Sequence, residues 1–562
     1  MKLSKKMLMS ALVGCLLLQA ACGSGSNGLT QSQTPAAADT GSGGQQREET
    51  PTAAGGPLDP YDPPIEVTAV RSVSASLKFE NGDTIQNNAW TKLYENELGI
   101  KLKYLWVVDN SQYEQKLNVM MTSGELPDIM PVPGVKMKQL YDAGQLEDLS
   151  ELLKQYGSEH TKDFMYRDGG AAIDSATFKG ELVGLPLNPG ATDTAPLLWI
   201  REDWRIKLGL PEPKTMDDVA AIAEAFVKRD PDGNQQNDTA GLGLDKELFG
   251  GLGGLHGFFN GFHSYPGIWI ENAAGELVYG SIQPETKTAL AKLQEMYKAG
   301  LIDREFAVKN AEQIIQDFNS GKLGMYYGQH YTPILLQDGK NNMPELELKP
   351  YRLPSVDAQP AKPQTSFNIP EYYVVRKGAK NPEAAIKLLN AYLEPRSREE
   401  YPVEEYSNNG DVEKWQYALL KGSNPTQNLD GYANVKKALE LNDRSILDET
   451  TPDPYVFDTL TSYYNGDVAG WGYTMVFGEG GAQSILYDYN ENKGYRPTAF
   501  NSAPTSAMSE KQSTLAKLEL ETFTKIIMGE AGIEAFDDFV VNWNKLGGDV
   551  MTAEAAAWKA SK

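Results

Sequence analysis

Ile65-Glu66-Val67-Thr68-Ala69-Val70 alternates apolar and polar side chains with the period of two expected of a half-buried strand. Downstream, Ala89 to Leu98 carries a helical pattern closed by Gly99, the residue type that best tolerates a left-handed turn at a helix C-terminus. Ile100 to Val108 reads as a second strand, and Tyr113 to Thr122 as a second helix with Leu117, Met120 and Met121 at helical spacing. Ser123-Gly124-Glu125-Leu126-Pro127-Asp128-Ile129-Met130 then reads as a turn entering a third strand. Strands separated by single helices predict an α/β fold with largely parallel sheets, because a parallel pair needs a crossover that returns the chain to its starting edge.

Outward from this block, the N-terminal side is an address. Lys2, Lys5 and Lys6 precede an uncharged apolar run from Met7 to Leu18. A spanning helix needs roughly 20 residues, so the run fits a signal-peptide core better than a membrane span. Ala20 and Ala21 precede Cys22, which is followed by Gly23, Ser24 and Gly25. The pattern resembles a bacterial lipoprotein signal, with residues 1–21 removed and Cys22 diacylated. Gln19 departs from the aliphatic residue usual three places before the cysteine. Leu12-Val13-Gly14-Cys15 fits the consensus better but would leave a very short apolar core. No cysteine follows Cys22, so the body has no disulfide. Residues 22–62 are dominated by Gly, Ser, Thr, Ala, Gln and Pro and read as a disordered tether. Such a leash would reach on the order of 35 Å.

On the other side lies a long body. The chain has 562 residues, and a single core stops growing near roughly 250–300, which predicts two lobes. With 41% hydrophobic and 23% charged residues, most of it should pack as a globule. The 76 acidic against 52 basic side chains, a formal charge of -24, argue against nucleic acid, whose phosphates demand a basic footprint. They argue equally against adhesion to anionic lipid through a polybasic patch.

Further patterns recur in order along the body. They include Leu198-Trp199-Ile200-Arg201-Glu202-Asp203-Trp204, Gly275-Glu276-Leu277-Val278-Tyr279-Gly280, and Pro284 to Ala299 followed by Gly300-Leu301-Ile302-Asp303. Phe318-Asn319-Ser320-Gly321-Lys322-Leu323-Gly324-Met325, Tyr373-Val374-Val375 and Asn381-Pro382-Glu383-Ala384-Ala385 follow, and the series ends in Leu515 to Gly529 and Trp543 to Gly548. With the opening block, this order resembles the lipid-anchored extracellular solute-binding proteins (family 1 type) of carbohydrate ABC importers, in the large oligosaccharide-binding branch of Gram-positive bacteria. The resemblance implies a two-lobed periplasmic-binding-protein-like fold with hinge strands and an interlobe cleft. It places lobe 1 at 63–198 plus 350–395 and lobe 2 at 199–349 plus 396–562. It implies a monomer on the extracellular face of the cell membrane, held there through its lipid anchor alone. That monomer would capture an oligosaccharide, close around it and dock on permease subunits.

The catalytic inventory is poor. His160, His256, His263 and His330 show no zinc spacing, and neither a Walker loop nor a GxSxG elbow occurs, although Gly250 to Gly257 is glycine-rich. The expectation is therefore no enzyme. A surface glycosidase or polysaccharide lyase and a calcium-dependent adhesin are the competing readings.

Asp230-Pro231-Asp232-Gly233-Asn234-Gln235-Gln236-Asn237-Asp238 places oxygen-bearing side chains at alternating positions, as in an EF-hand calcium loop. The candidate ligands of a structural Ca2+ are Asp230, Asp232, Asn234, Gln236 and Asp238. Gln235 stands where the loop glycine is usual and Gly241 where a bidentate Glu is usual, so an Asp/Asn/Gly turn without an ion is the alternative. A helix leads in, with Thr215 as N-cap and Val219, Ile222, Ala223 and Phe226 as its apolar face.

For the saccharide, flat amphipathic rings cover apolar C–H faces while polar side chains satisfy the hydroxyl rim. The candidates, chosen for polar or glycine-rich settings, are Trp106, Trp199, Trp269, Tyr327, Tyr331, Trp471 and Tyr473, with Arg201 as a polar partner. Gly470-Trp471-Gly472-Tyr473 is the most exposed-looking of these. Trp90, Trp543 and Trp558 lie on amphipathic helices and read as packing.

Overall fold

Residues 55–74, 77–188, 190–367, 369–395, 400–407, 412–449 and 451–561 are described by a computed structural model. Cys22, the signal sequence and most of the expected tether lie outside the described residues.

The strands that frame the lobes are β1 (Ile65–Val73), β2 (Ile100–Asp109), β3 (Ile129–Val132), β4 (Leu185–Pro186), β5 (Leu197–Arg201), β6 (Ala240–Gly243), β7 (Leu323–Gly328), β8 (Leu348–Tyr351) and β9 (Tyr372–Val375). The first sheet has the order β2-β1-β3-β9-β4 and the second β8-β5-β7-β6. β1 runs parallel to β2 and β3, each reached through a helix. β9 is antiparallel to β3 and β4, and β5 is antiparallel to β7 and β8, leaving β6 and β7 as the parallel pair of the second sheet. The sheets are thus mixed, and largely parallel only in the block that the opening stretch encodes. β5 and β9 follow segments that cross between lobes, so each enters its sheet without the helical return that would make it parallel.

Local chemistry explains the element ends. Asn88 caps the Ala89–Leu98 helix in a reciprocal box with Thr91, and Trp90, Leu93, Tyr94 and Leu98 face the core. Gly99 has φ 63°, and a Cβ there would lie 2.5 Å from the Tyr61 carbonyl oxygen, so position and conformation both require glycine. Thr215 and Asp218 form the same kind of box on the Met216–Lys228 helix.

The first core joins β1–β4 and β9 to the Ala384–Leu393 helix and to Tyr417–Leu420. The second joins Leu198 and Ile200 to Tyr351, Leu353 and the helices of 506–560. Two smaller clusters extend the second lobe through Trp199, Tyr326 and Trp471 and through Val435 to Leu460. Residues 350–365, expected with the first lobe, therefore pair and pack with the second, whereas 417–420 pack with the first. The chain crosses near 187–196, 366–371 and 421–427.

Residues 55–62 are part of the first lobe, in contrast to the tether expected there. Lys387, fully buried, donates to the carbonyls of Gly56 (2.5 Å) and Asp59 (2.9 Å), and Asn390 donates to that of Pro57 (2.9 Å). The Tyr61 hydroxyl donates to Glu383 at 2.7 Å. Composition alone hid this strap, because its backbone carbonyls are satisfied by side chains far along the chain. Burial lowers the pKa of Lys387.

Candidate functional site

The crossings converge. Ser366 N–H donates to the Thr194 hydroxyl at 3.1 Å, tying the first crossing to the second. Asn428 Nδ2 donates to Asp193 Oδ2 at 2.8 Å, tying the first to the third. His330 Nδ1 lies 3.9 Å from Asp193 Oδ1. Burial raises the Asp193 carboxyl against the pull of His330, and burial lowers the His330 imidazole against the pull of Asp193.

Beside this junction lie two neighbouring cavities, of about 180 and 210 Å³, which share Ser366. The first is bounded by Thr194 and Ser366 from the crossings and by Phe249, the Gly250–Gly254 turn, His256, Gln329 and Gln364 from the second lobe. A Cβ on Gly254 would sit 2.0 Å from the Gly250 carbonyl oxygen, so the turn closes this tightly with glycine alone. His256 rests 4.8 Å from the Phe249 ring, and burial pushes its imidazole down to about 4, leaving it neutral near pH 7. Gln364 is fixed by donation to Pro266 O (2.8 Å) and by paired bonds with Asn260.

The second cavity is bridged by both lobes: Gly134 and Tyr372 from the first, Trp269, Tyr279, Phe500 and Met508 from the second. Tyr279 stacks on Trp543 at 5.0 Å. On the Ser506–Met528 helix, Glu519 faces the core at 5% exposure, and burial raises its carboxyl to about 7 against a hydrogen bond to Ser281.

Among the sequence candidates, Trp269 lines the second cavity. Tyr331 borders the first: it is exposed, and its hydroxyl lies 2.7 Å from where a Gly251 Cβ would be. Trp106 is half-buried on β2, 5.5 Å from the Tyr113 ring with Lys116 Nζ 5.3 Å from its centroid. Tyr473 is half-buried against Tyr455 and the Val435–Leu460 cluster. Trp199, Tyr327 and Trp471 are fully buried in core clusters and offer a ligand no face, which corrects their assignment to the saccharide. Arg201 is also corrected: it is 2% exposed, donates to Asp203 twice (2.9 and 2.6 Å) and lies over Trp204. Trp90 and Trp543 are packing as expected, and Trp558 is half-buried against Phe500.

Sequence reasoning missed Phe249, His256, Gln329, Gln364, Ser366, Tyr279 and Phe500. The glycine run after Phe249 carried a signal for the first two, and Tyr279 ends a segment that the family pattern includes. Gln364 and Ser366 had none, since only the crossing of chains gives them a place.

The Asp230–Asp238 loop is exposed and folds on itself. Asp230 accepts from the N–H groups of Gly233 and Gln235 (3.0 Å each), and Asn234 Nδ2 donates to Asp232 (2.7 Å) and Asp238 (3.1 Å). Gln236 N–H donates to the Asn234 side-chain oxygen at 2.7 Å. Burial raises Asp230, but hydrogen bonds from Asp232 and from the backbone outweigh it and hold the carboxyl low; burial and that same Asp230 contact raise Asp232. The donor set, three carboxylates and an amide, suits a hard cation. The amide nitrogen of Asn234 stands between two carboxylates where positive charge is favoured. Among the described residues, no group of three or more His, Cys, Asp or Glu is gathered closely enough to hold a metal in this arrangement.

Two mixed-sheet lobes joined by crossings, with cavities at the junction, define a solute-binding protein. Residues 78–399 match the bacterial extracellular solute-binding protein family, and the chain belongs to it. It is 25% identical over 472 residues to lipoprotein LipO of Bacillus subtilis (strain 168), covering 82% of this chain and 86% of that one. It is 27% identical over 257 residues to the polygalacturonan/rhamnogalacturonan-binding protein YtcQ of the same organism, covering 44% of this chain and 47% of the relative. Its fold matches the structure of an HMO-binding, ABC-transporter-associated solute-binding protein from Bifidobacterium longum infantis. The TM-score is 0.57 at 19% identity, over 88% of this chain and 98% of that one. This is a family of binding proteins, not of enzymes.

Proposed function

We propose that the protein captures an oligosaccharide between its lobes and delivers it to the permease of a carbohydrate ABC importer. The observation that carries this reading is the pair of cavities at the crossings, faced by the rings of Trp269, Tyr279, Phe249 and Phe500 and by uncharged hydrogen-bonding groups. Such a lining matches the alternating apolar faces and hydroxyl rims of sugars. A ligand touching Tyr372 on one lobe and Trp269 on the other favours the closed form by differential contact, which the permease then reads. The names of the relatives support the sugar and the transporter, and LipO supports the lipoprotein. The proposal extends to Cys22 as the lipid anchor after removal of residues 1–21, to a monomer on the outer face of the membrane, and to a structural Ca2+ held by Asp230, Asp232, Asn234 and Asp238, with Gln236 completing the loop. Calcium supplies scaffold charge balance there and takes no part in the cleft.

Calorimetry with a panel of oligosaccharides, paired with small-angle scattering, tests the reading. A saturable heat accompanied by a smaller radius of gyration is expected. No heat with any glycan, or the appearance of cleavage products, would overturn it.

A further inference from the structure

Both cavities are lined without a single Asp, Glu, Lys or Arg among the described residues. This is unexpected in a chain with 128 such side chains in its two charge classes, 52 basic and 76 acidic. Hydrogen bonding there comes from Thr194, Gln329, Gln364, Ser366, Thr498 and Gln512. The one titratable imidazole, His256, is held neutral by burial, with its pKa near 4.

Three cations near the crossings are paired with carboxylates: Lys421 with Glu371 at 3.7 Å, Arg201 with Asp203 and Arg352 with Asp488. Arg496 lines neither cavity; its Nη2 donates to the Glu271 carbonyl at 3.0 Å and its buried Nε has no hydrogen-bond partner. Withdrawing a carboxylate into such a cleft removes its hydration and returns no partner, an unfavourable exchange for any ion. The surrounding field opposes it as well, since the chain carries a net charge of -24 and repels anions on approach.

We propose that the cleft selects an uncharged glycan and rejects uronate-bearing chains, because the two cavities at the crossings are lined by rings, amides and hydroxyls and by no cation. The inference rests on the oligosaccharide-capture reading above and narrows it. It also separates this chain from YtcQ, whose named ligand, polygalacturonan, carries a carboxylate on each galacturonate unit. Each cavity is smaller than the roughly 300 Å³ at which ligand pockets usually begin, so adjacent sugar units are expected to occupy the two sites in turn.

The test uses the mature chain and matched probes: oligogalacturonates, the same oligomers after carboxyl reduction to galactose units, and neutral fructo-, xylo- and malto-oligosaccharides. Calorimetry is expected to find a neutral glycan that binds at least on the order of 100-fold more tightly than any oligogalacturonate. Between native and reduced oligomers of one length, the reduced form should be the better ligand. A single variant reads the same physics in reverse. Gln512→Arg places a cation on the exposed face of the 506–528 helix at the second cavity, and should raise oligogalacturonate affinity by about tenfold or more. Oligogalacturonate binding as tight as any neutral glycan overturns the inference and leaves oligosaccharide capture standing. Silence from both classes overturns both. An oligogalacturonate affinity unchanged in Gln512→Arg also counts against charge selection at this cavity.

Discussion

Gly470-Trp471-Gly472-Tyr473 and Phe249-Gly250-Gly251-Leu252-Gly253-Gly254 look alike on paper: an aromatic set among glycines. They do opposite things. In the first, Trp471 starts a helix and is fully buried, and Gly472 allows that helix to approach the 332–336 turn, where a Cβ would lie 2.9 Å from Ile334 Cα. In the second, the glycines close a turn whose missing side chains leave an open cavity beside Gln329 and Tyr331. Absent side chains invite either a neighbouring backbone or a ligand. What lies opposite decides which, and that is a tertiary fact.

The largest expected break in this comparison is Trp471→Ala. It should destabilise the second lobe by about 3–5 kcal/mol, seen as a lowered Tm, while the molecules that remain folded keep their glycan affinity. Next comes pH. His256 has a depressed pKa in the folded state, about 4 against 6.5, so the unfolded chain takes up the proton first. Its contribution is complete above pH 6.5 and lost as pH falls towards 4. The stability gap between wild type and His256→Asn should therefore shrink by roughly 2–3 kcal/mol over that window, measured by urea titration at several pH values. A gap independent of pH would remove His256 from the buried wall.

Matched glycine changes sharpen the contrast. Gly472→Ala should destabilise by about 1–3 kcal/mol without affecting Kd, since backbone blocks the new methyl group. Gly251→Ala meets only the ends of the Tyr331 and Gln329 side chains, so its stability should change by under about 0.5 kcal/mol while glycan Kd weakens several-fold. Equal effects on both readouts would erase the distinction between the two segments. A small effect is also expected of chelation. If the Asp230–Asp238 loop holds the proposed calcium, a chelator should lower Tm by a few degrees and leave glycan Kd unchanged, with Asp230→Ala abolishing the chelator response, because a loop site of this kind contributes only on the order of 1 kcal/mol.

Much of the fold was legible. The period-two pattern of Ile65–Val70, the Gly99 stop and the Thr215 cap all stand where local chemistry puts them. On the Ser506–Met528 helix the face is less legible: Leu515, Phe523, Ile526 and Ile527 are buried with Glu519 among them, while Ala516 is exposed. An acidic residue on a core face contradicts hydrophobic patterning; burial raises its carboxyl to about 7, which favours the neutral form. The site was less legible than the fold. Trp269 lines a cavity and Tyr331 borders one, whereas Trp199, Tyr327 and Trp471, chosen on the same grounds, are core.

Sequence by itself determined the elements, their capping and the two-lobed family, since these follow from short-range periodicity and from motifs kept in order along the chain. The tertiary structure alone decided which lobe owns residues 350–365, that residues 55–62 are strapped to Lys387, and that Gln364 and Ser366 face a cavity. Each of those depends on groups tens to hundreds of residues apart meeting across a crossing, and no local pattern encodes such a meeting.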